Sequence, residues 1–570
     1  MSTHGLALRN GISVPMHQVP QFPFTELRQA VIAAPSRNGR VVAMFGRPMG
    51  AAIELCVVLA SDNDGLLEVA RATIEGSSFP SMTPECPQVH LFERELGEQW
   101  GLVPEGHPWW KPVRFHKAYR SGPDAFGRAD GEHPVVGVTD FYRVEGEEIH
   151  EVAVGPVHAG VIEPGHFRFQ CHGEHVFHLE ISLGYQHRGI EKTLAGGPSK
   201  RTIHHMETLA GDTTVGHASA YCQALEGLSG CRTSARALAL RGVALELERL
   251  ANHTGDLGAL AGDIGYLPTA SFCGRLRGDF LNITALLCGN RFGRGLIRPG
   301  GIGFDVDKDR VAQVLERLEA AYRDVQGAAK LLWHTGSVQA RFEDVGKVSE
   351  ETARDLGLVG PAARACGLRR DVRTHHPFGI FQFVHIPIST FHTGDVFARA
   401  FLRWLEIERS VVFLRTQLKE LPAGPSRVDC PPPKPDSLCV SLVEGWRGEI
   451  CHVAMTGAQG RFSAYKVVDP SFHNWAGLAM ALRDQQISDI PICNKSFNLT
   501  YCGPDLREGE RMLRILVERW KQGHRAAVMG TLGGFPDAPA VWLRRAKPAY
   551  AYAIMGTARL GALFHAENSR

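Results

Sequence analysis

Not one pair among the thirteen cysteines is spaced as Cys-x-x-Cys. That spacing lets one stretch of chain aim two soft thiolates at a metal, because residues three apart share a face of a helical turn. A metal cluster held by such pairs is therefore excluded. The cysteines are odd in number and scattered, which points to reduced thiols in a cytoplasmic setting rather than a disulfide frame. Long apolar runs are also missing. Residues 51–60 are interrupted by Glu54 and residues 550–566 by Arg559, so no membrane span is predicted and a membrane role requires docking on other subunits. Residues 1–10 lack a basic start followed by an apolar stretch, and no signal peptide is read. There is no block of like charge. A net charge of +2 over 570 residues argues against nucleic acid as a partner. Gly293-Arg-Gly295 and Gly300-Gly301-Ile-Gly303 lack the strand–loop–helix frame of a nucleotide cradle, and no internal repeat is apparent.

What is present divides the chain into segments. Residues 1–20 read as a loose arm. Strand-like runs at 41–45 and 53–59 alternate with a helix-like stretch at 65–74, an α+β pattern. Residues 120–148, rich in Gly, Asp and Glu, read as a linker. Residues 152–181 look like paired strands: Phe167, Phe169 and Cys171 alternate with Arg168 and Gln170, and His172-Gly-Glu174 makes a turn. Helical spacing then dominates. It predicts helices at 234–263, 311–335 and 396–421, with Glu246, Arg249 and His253 on a shared face of the first. A proline-rich loop at 422–435 precedes strands at 438–443 and 462–468. Residues 507–521 have the pattern of an amphipathic helix suited to docking a partner. His166, Cys171, His172, His175 and His178 fit no zinc-finger spacing, and a hairpin directs such side chains to both faces.

The segment Leu209-Ala-Gly-Asp-Thr-Thr-Val-Gly-His217-Ala-Ser-Ala-Tyr-Cys-Gln-Ala-Leu-Glu226 closely resembles the stretch of membrane-bound, group-4 nickel–iron hydrogenase large subunits that carries their first Cys-x-x-Cys. Ala210 and Thr213 stand at the two cysteine positions. Thr500-Tyr-Cys-Gly503 falls where the second pair would close the nickel site. The related quinone-site subunit of respiratory complex I has lost the same cysteines. Phe79-Pro-Ser-Met-Thr-Pro84, Glu93-Arg-Glu95, Trp100-Gly101 and Gly106-His-Pro108 resemble the accessory (30-kDa-type) subunit found beside, or fused to, such large subunits. The resemblance implies an accessory-subunit-like α/β domain at 1–120, a linker at 121–149, a large-subunit-like helical bundle with small antiparallel sheets at 150–506, and a C-terminal extension at 507–570. The large-subunit likeness is strong from about 150 to 300 and from 438 to 506, and diffuse between.

The resemblance also assigns residues. Gly155-Pro-Val-His158-Ala-Gly-Val-Ile-Glu163-Pro-Gly-His166 is similar to the loop that carries a proton-passing glutamate in hydrogenases and a quinone-contacting histidine in complex I. Taken alone this loop is just a turn; the likeness raises His158 and Glu163 to candidates. In His187-Arg188-Gly-Ile-Glu191-Lys192, Arg188 matches the arginine that approaches the iron–sulphur cluster of the small subunit, and Glu191 reads as structural. His217 matches a family histidine, although a lone buried histidine serves equally well as core. Asp263 matches an aspartate paired with the quinone-contacting histidine, an arrangement that raises the proton affinity of the imidazole. Arg447, in Glu444-Gly-Trp-Arg447-Gly-Glu449, matches an arginine leaning over the cavity. Gly211 stands where complex I supplies a quinone-donating tyrosine, and Asn498 and Leu499 replace the Asp-Pro that precedes the second cysteine pair.

The expectation is a large subunit at the cytoplasmic side of the cell membrane, peripheral to it. Its partners would be a small iron–sulphur subunit and membrane ion-translocating subunits. His158, Glu163, His217 and Asp263 would carry protons; Arg188 and Arg447 would set local charge and, with Thr213 and Thr500, make up the cofactor-binding positions. Electrons would pass from the neighbouring iron–sulphur cluster to a quinone-like acceptor, with no cofactor bound by this chain and no nickel–iron centre. NAD, where the wider family uses it, binds another subunit. Two alternatives stand beside this reading: a redox-silent scaffold, and a hydrogenase with non-standard ligation.

Overall fold

The computed structural model describes residues 5–121, 124–128, 132, 134–156 and 164–502. His158, Glu163, Gly503 and the helix expected at 507–521 lie outside these residues. The chain is α+β, with small antiparallel sheets around packed helices.

Gly39–Met49, Ala52–Ser61 and Leu66–Ile74 form an antiparallel meander. The helix expected at 65–74 is therefore a strand. Leu67, Val69, Ala72 and Ile74 are buried, a spacing compatible with either period, and pairing along the whole of Ala52–Ser61 decides between them. Gly65, at φ +64°, takes the left-handed position of the turn between these strands, where a side chain would be strained.

From residue 5 onward, the arm expected at 1–20 is not loose. Leu6–Leu8 pairs with Leu66–Ile74, and Ser13–Pro15 pairs with Ser437–Gly445 in a different sheet. The Asn10 amide donates to the His376 and Leu442 carbonyls at 2.7 and 2.9 Å.

Ile149–Val154, His166–His172 and His175–Ser182 make the expected antiparallel strands with their turn at 173–174. The sheet that matters most for the site runs Ser13–Pro15, Ser437–Gly445, Gly448–Thr456, Phe462–Val468. Its third member is absent from the sequence-based expectation. Thr214–Ser229 packs across the Ser437–Gly445/Gly448–Thr456 hairpin.

Ala235–Asp263 is the central helix, capped by the Ser234 hydroxyl accepting from Ala237 N at 3.1 Å. Buried around most of its girth, with polar side chains among the buried ones, it is enclosed by Leu267–Cys288, Val396–Lys419 and Ile490–Phe497. Ala235–Asp263, Lys308–Trp333 and Val396–Lys419 fall within a few residues of their expected bounds, while Leu267–Cys288 and Ile490–Phe497 were not among the expected helices. No helix among the described residues is long and apolar enough to cross a membrane.

Buried ion pairs fasten the first hundred residues to the C-terminal sheet. Arg40 reaches Glu449 at 2.5 Å, and Lys466 reaches Glu95 at 2.6 Å.

Candidate functional site

Three segments converge where the sequence places the lost cysteines. Arg188 donates from Nη1 to the Thr208 carbonyl and from Nη2 to the Leu209 carbonyl, each at 2.6 Å. The Cys502 thiol donates to the same Leu209 oxygen at 3.3 Å and lies 3.4 Å from the Thr500 hydroxyl. Arg447 then closes the other side. It donates to both Asp212 oxygens at 2.6 and 2.8 Å, to Thr213 Oγ1 at 3.2 Å and to the Asn498 carbonyl at 2.5 Å. Its guanidinium lies over the Trp446 ring, 3.9 Å from the centroid. Desolvation by the surrounding chain opposes the Asp212 charge, but Arg447 prevails and holds this carboxyl below its usual range. Gly211 is exposed beside Asp212, and a Cβ built there meets nothing within 4 Å.

Thr213 starts the Thr214–Ser229 helix without capping it. Glu248, reaching across from the central helix, does that work: its carboxylate accepts from Val215 N at 2.7 Å and Gly216 N at 3.2 Å. The helix N-terminus and the two N–H groups favour the anion. Burial is the larger cause and pushes Glu248 up to about 8. The folded protein therefore binds one more proton than the unfolded chain between the unfolded carboxyl value of about 4.3 and 8, so this group's stabilising contribution falls as pH rises through that window. Glu248→Gln is expected to flatten the decline in unfolding midpoint from pH 5 to 8, read by urea titration. An unchanged slope would refute the assignment.

One turn beyond Thr213, His217 enters a hydrogen-bonded chain that is wholly buried. His217 Nε2 lies 3.0 Å from Asp469 Oδ2, His217 Nδ1 lies 3.1 Å from His452 Nε2, and His452 Nδ1 lies 2.9 Å from the Tyr465 hydroxyl. Burial, reinforced by His217, keeps His452 neutral, and burial keeps Tyr465 protonated. Asp469 is opposed by burial but held below its usual range by His217 and Arg447. Donor rules then orient every proton when His217 is neutral: Tyr465 O–H to His452, His452 Nε2–H to His217, His217 Nε2–H to Asp469. Charging His217 reverses the first two bonds. Asp469 also caps the Pro470–Ala481 helix through Ser471 N at 2.8 Å, and the Ser471 hydroxyl accepts from Thr500 N at 3.0 Å. One end of the chain therefore adjoins Thr500 and Arg447. Tyr221, next along the expected Thr213–His217–Tyr221 stripe, faces the Tyr465 ring at 6.5 Å, so the stripe ends against the sheet.

Behind the site lies a buried ionic cluster. Glu406 accepts from Arg364 at 2.5 Å, from Arg249 at 3.1 Å and bonds His253 at 2.9 Å. Arg364 also binds Glu444, and Arg373 joins Glu246 to Asp371. The shared face of Glu246, Arg249 and His253 read from the sequence turns into this cluster.

Asp263 takes no part in either network. It sits exposed at the end of the central helix, with Lys495 as its charged neighbour. Asp256 is the inward aspartate instead, held by Arg403 at 2.8 Å and Asn498 at 2.6 Å. The structure thus links Arg188, Thr213, His217, Arg447 and Thr500, and adds Asp212, Glu248, His452, Tyr465 and Asp469. Asp469-Pro470 was readable as a cap followed by a first-turn proline. A histidine inside the apolar run 450–455 was the available sign of His452. No group of three His, Cys, Asp or Glu side chains among the described residues could hold a metal ion.

The model of the respiratory-chain NADH dehydrogenase 49 kDa subunit family matches residues 263–437. Most of that stretch is the interval where the sequence motifs left the likeness diffuse, a correction to that expectation. The carbon monoxide-induced hydrogenase of Rhodospirillum rubrum is 30% identical over 353 residues, spanning 61% of this chain and 97% of that protein. Formate hydrogenlyase subunit 5 of Escherichia coli (strain K12) is 28% identical over 440 residues, 75% of this chain and 77% of its own length. An NADH-quinone oxidoreductase subunit of Chloroherpeton thalassium is 29% identical over 374 residues, 61% and 85% of the two chains. The chain belongs to the family of the complex I 49 kDa subunit and the group-4 hydrogenase large subunits.

Proposed function

We propose that this chain is the nickel-free large subunit of a membrane-associated oxidoreductase, moving protons to a quinone-like acceptor as electrons arrive from an iron–sulphur protein bound on the Arg188 side. The Asp469–His217–His452–Tyr465 chain carries this reading. Buried titratable groups are costly to keep, and four in hydrogen-bonded series are what a proton path requires. The room in front of Gly211, beside Asp212 and Arg447, suits a polar head group.

The residues do not fit a nickel–iron centre. That centre takes four thiolates in this family. Here Ala210 has no donor atom, the Thr213 hydroxyl is engaged by Arg447, and Cys502 donates its proton to Leu209. Membrane ion-translocating subunits as partners and attachment at the cytoplasmic face belong to the same proposal, and kinship with membrane-bound hydrogenase and complex I subunits supports them.

Anaerobic purification of the native complex tests this reading through metal content and quinone reduction. Nickel is expected far below one atom per chain, with donor-dependent quinone reduction retained. Stoichiometric nickel with hydrogen turnover would sink the proposal in favour of non-standard ligation. One observation supports a second reading, a redox-silent scaffold: Asp212, Thr213 and Asn498 engage every arm of Arg447. Intact iron–sulphur reduction without any quinone reduction would favour that scaffold.

A further inference from the structure

Of the thirteen cysteines eleven are buried; Cys231 and Cys430 alone are partly exposed. Cys231 lies in the turn between Thr214–Ser229 and the central helix, and Cys430 in the proline-rich segment before Pro431-Pro432-Pro433. The Cys231 thiol donates to the carbonyl of Asp429, the residue before Cys430, at 3.7 Å. The two segments are stitched together on either side: Ser234 Oγ donates to the Pro425 carbonyl at 2.5 Å, and Lys434 N to the Leu228 carbonyl at 3.0 Å. The two cysteines are therefore held as neighbours by the fold.

The pair also stands between two openings. Cys231, with Arg232, Arg241 and Lys434, lines a cleft of about 920 Å³. Cys430, with Arg427 and Pro198, lines a groove of about 470 Å³. Both are wide enough for a small peptide. In the cleft Glu226 neutralises Arg241 and Asp64 adds a carboxylate, which leaves Arg9, Arg232 and Lys434 in excess to suit a ligand bearing carboxylates. In the groove Asp429 offsets Arg427. No third metal-binding side chain completes a cluster here among the described residues, so the chemistry left to the pair is that of a dithiol.

We propose that Cys231 and Cys430 form a reversible disulfide by exchange with anionic small-molecule disulfides of the glutathione type. One thiolate attacks the small disulfide, forming a mixed disulfide and releasing one thiol. The second protein thiolate then attacks the mixed disulfide, forming the Cys231–Cys430 bond and releasing the second thiol. Two protein thiols are oxidised and one small disulfide is reduced to two thiols. The bond would lock the proline-rich segment to the helix turn and fix the rim of the larger cleft. Burial and the neighbouring thiol push Cys231 up to about 11, so exchange quickens as pH rises across neutrality.

The test is oxidation of the full chain in its complex with glutathione disulfide, then alkylation and peptide mapping without reductant. A linked Cys231–Cys430 peptide is expected, released by dithiothreitol. Cys231→Ser and Cys430→Ser should each leave the remaining cysteine as a glutathione adduct instead. Glutathione adducts on both wild-type cysteines without a crosslink would overturn the proposal. So would two cysteines still free to be alkylated under conditions that oxidise an added exposed reference thiol. Neither outcome bears on the reading of the Arg447 site.

Discussion

Glu406→Ala is expected to lose about 3–5 kcal/mol of stability, the usual result of removing one partner from a buried ion pair. That is a large share of the roughly 5–15 kcal/mol that holds a domain together. Glu406 is 3% exposed and is the acceptor common to Arg249, Arg364 and His253. Arg364 and Arg249 hold it well below the usual carboxylate range despite its burial. The cluster is nearly neutral as it stands. Arg249, Arg364 and Arg373 face Glu246, Asp371 and Glu406, while burial and the Asp371 charge push Glu444 up to about 7. Deleting Glu406 therefore strands positive charge where water cannot reach it. Glu406→Gln, which keeps an acceptor oxygen, should fall between the two. The surface pair of Arg275 with Asp279 and Asp324, half-exposed, provides the contrast: Arg275→Ala should cost less than about 1 kcal/mol. Urea unfolding midpoints of the three variants decide it, and a Glu406→Ala midpoint no lower than that of Arg275→Ala would remove the cluster from the account of stability.

This cluster also marks where sequence stops informing on structure. The central helix was legible because Ser234 caps it and its apolar residues repeat at helical spacing, both local signals. The Gly448–Thr456 strand was not. Its Glu449 finds Arg40 across 409 residues of chain and its His452 finds His217 across 235, so polar residues inside an apolar run look out of place until the partners are known. The 65–74 segment failed for a different reason: its apolar spacing fits both periods, and only pairing with Ala52–Ser61 selects the strand. Arg188, Thr213, Arg447 and Thr500 were found through family resemblance, and nothing in their spacing announces that Arg447 joins Asp212 to Asn498. Asp263 shows the converse hazard. Its position suggested a proton carrier, yet it is exposed at a helix end while Asp256, two turns earlier, faces Arg403.

The second large effect is expected in the buried proton chain. His452→Gln keeps a donor and an acceptor in place but cannot take up one proton on one side and release another on the other. Positioned acid–base groups contribute about 10²–10⁴-fold to rate, so quinone reduction by the complex should fall at least about a hundredfold. His217→Gln should do the same, since His217 joins Asp469 to His452 and stands one turn from Thr213. Tyr465→Phe removes only the terminal donor to His452, and a smaller loss is expected. A merely structural role would lower stability without touching the proton step, so the decisive readings are the pH profile and the solvent deuterium isotope effect on quinone reduction. Both should change in the histidine variants while reduction of the neighbouring iron–sulphur cluster by the donor proceeds at the wild-type rate. If His452→Gln reduces quinone within twofold of wild type with an unaltered isotope effect, protons reach the acceptor by another route. The chain would then be a buried polar brace between the Thr214–Ser229 helix and the sheet beneath it.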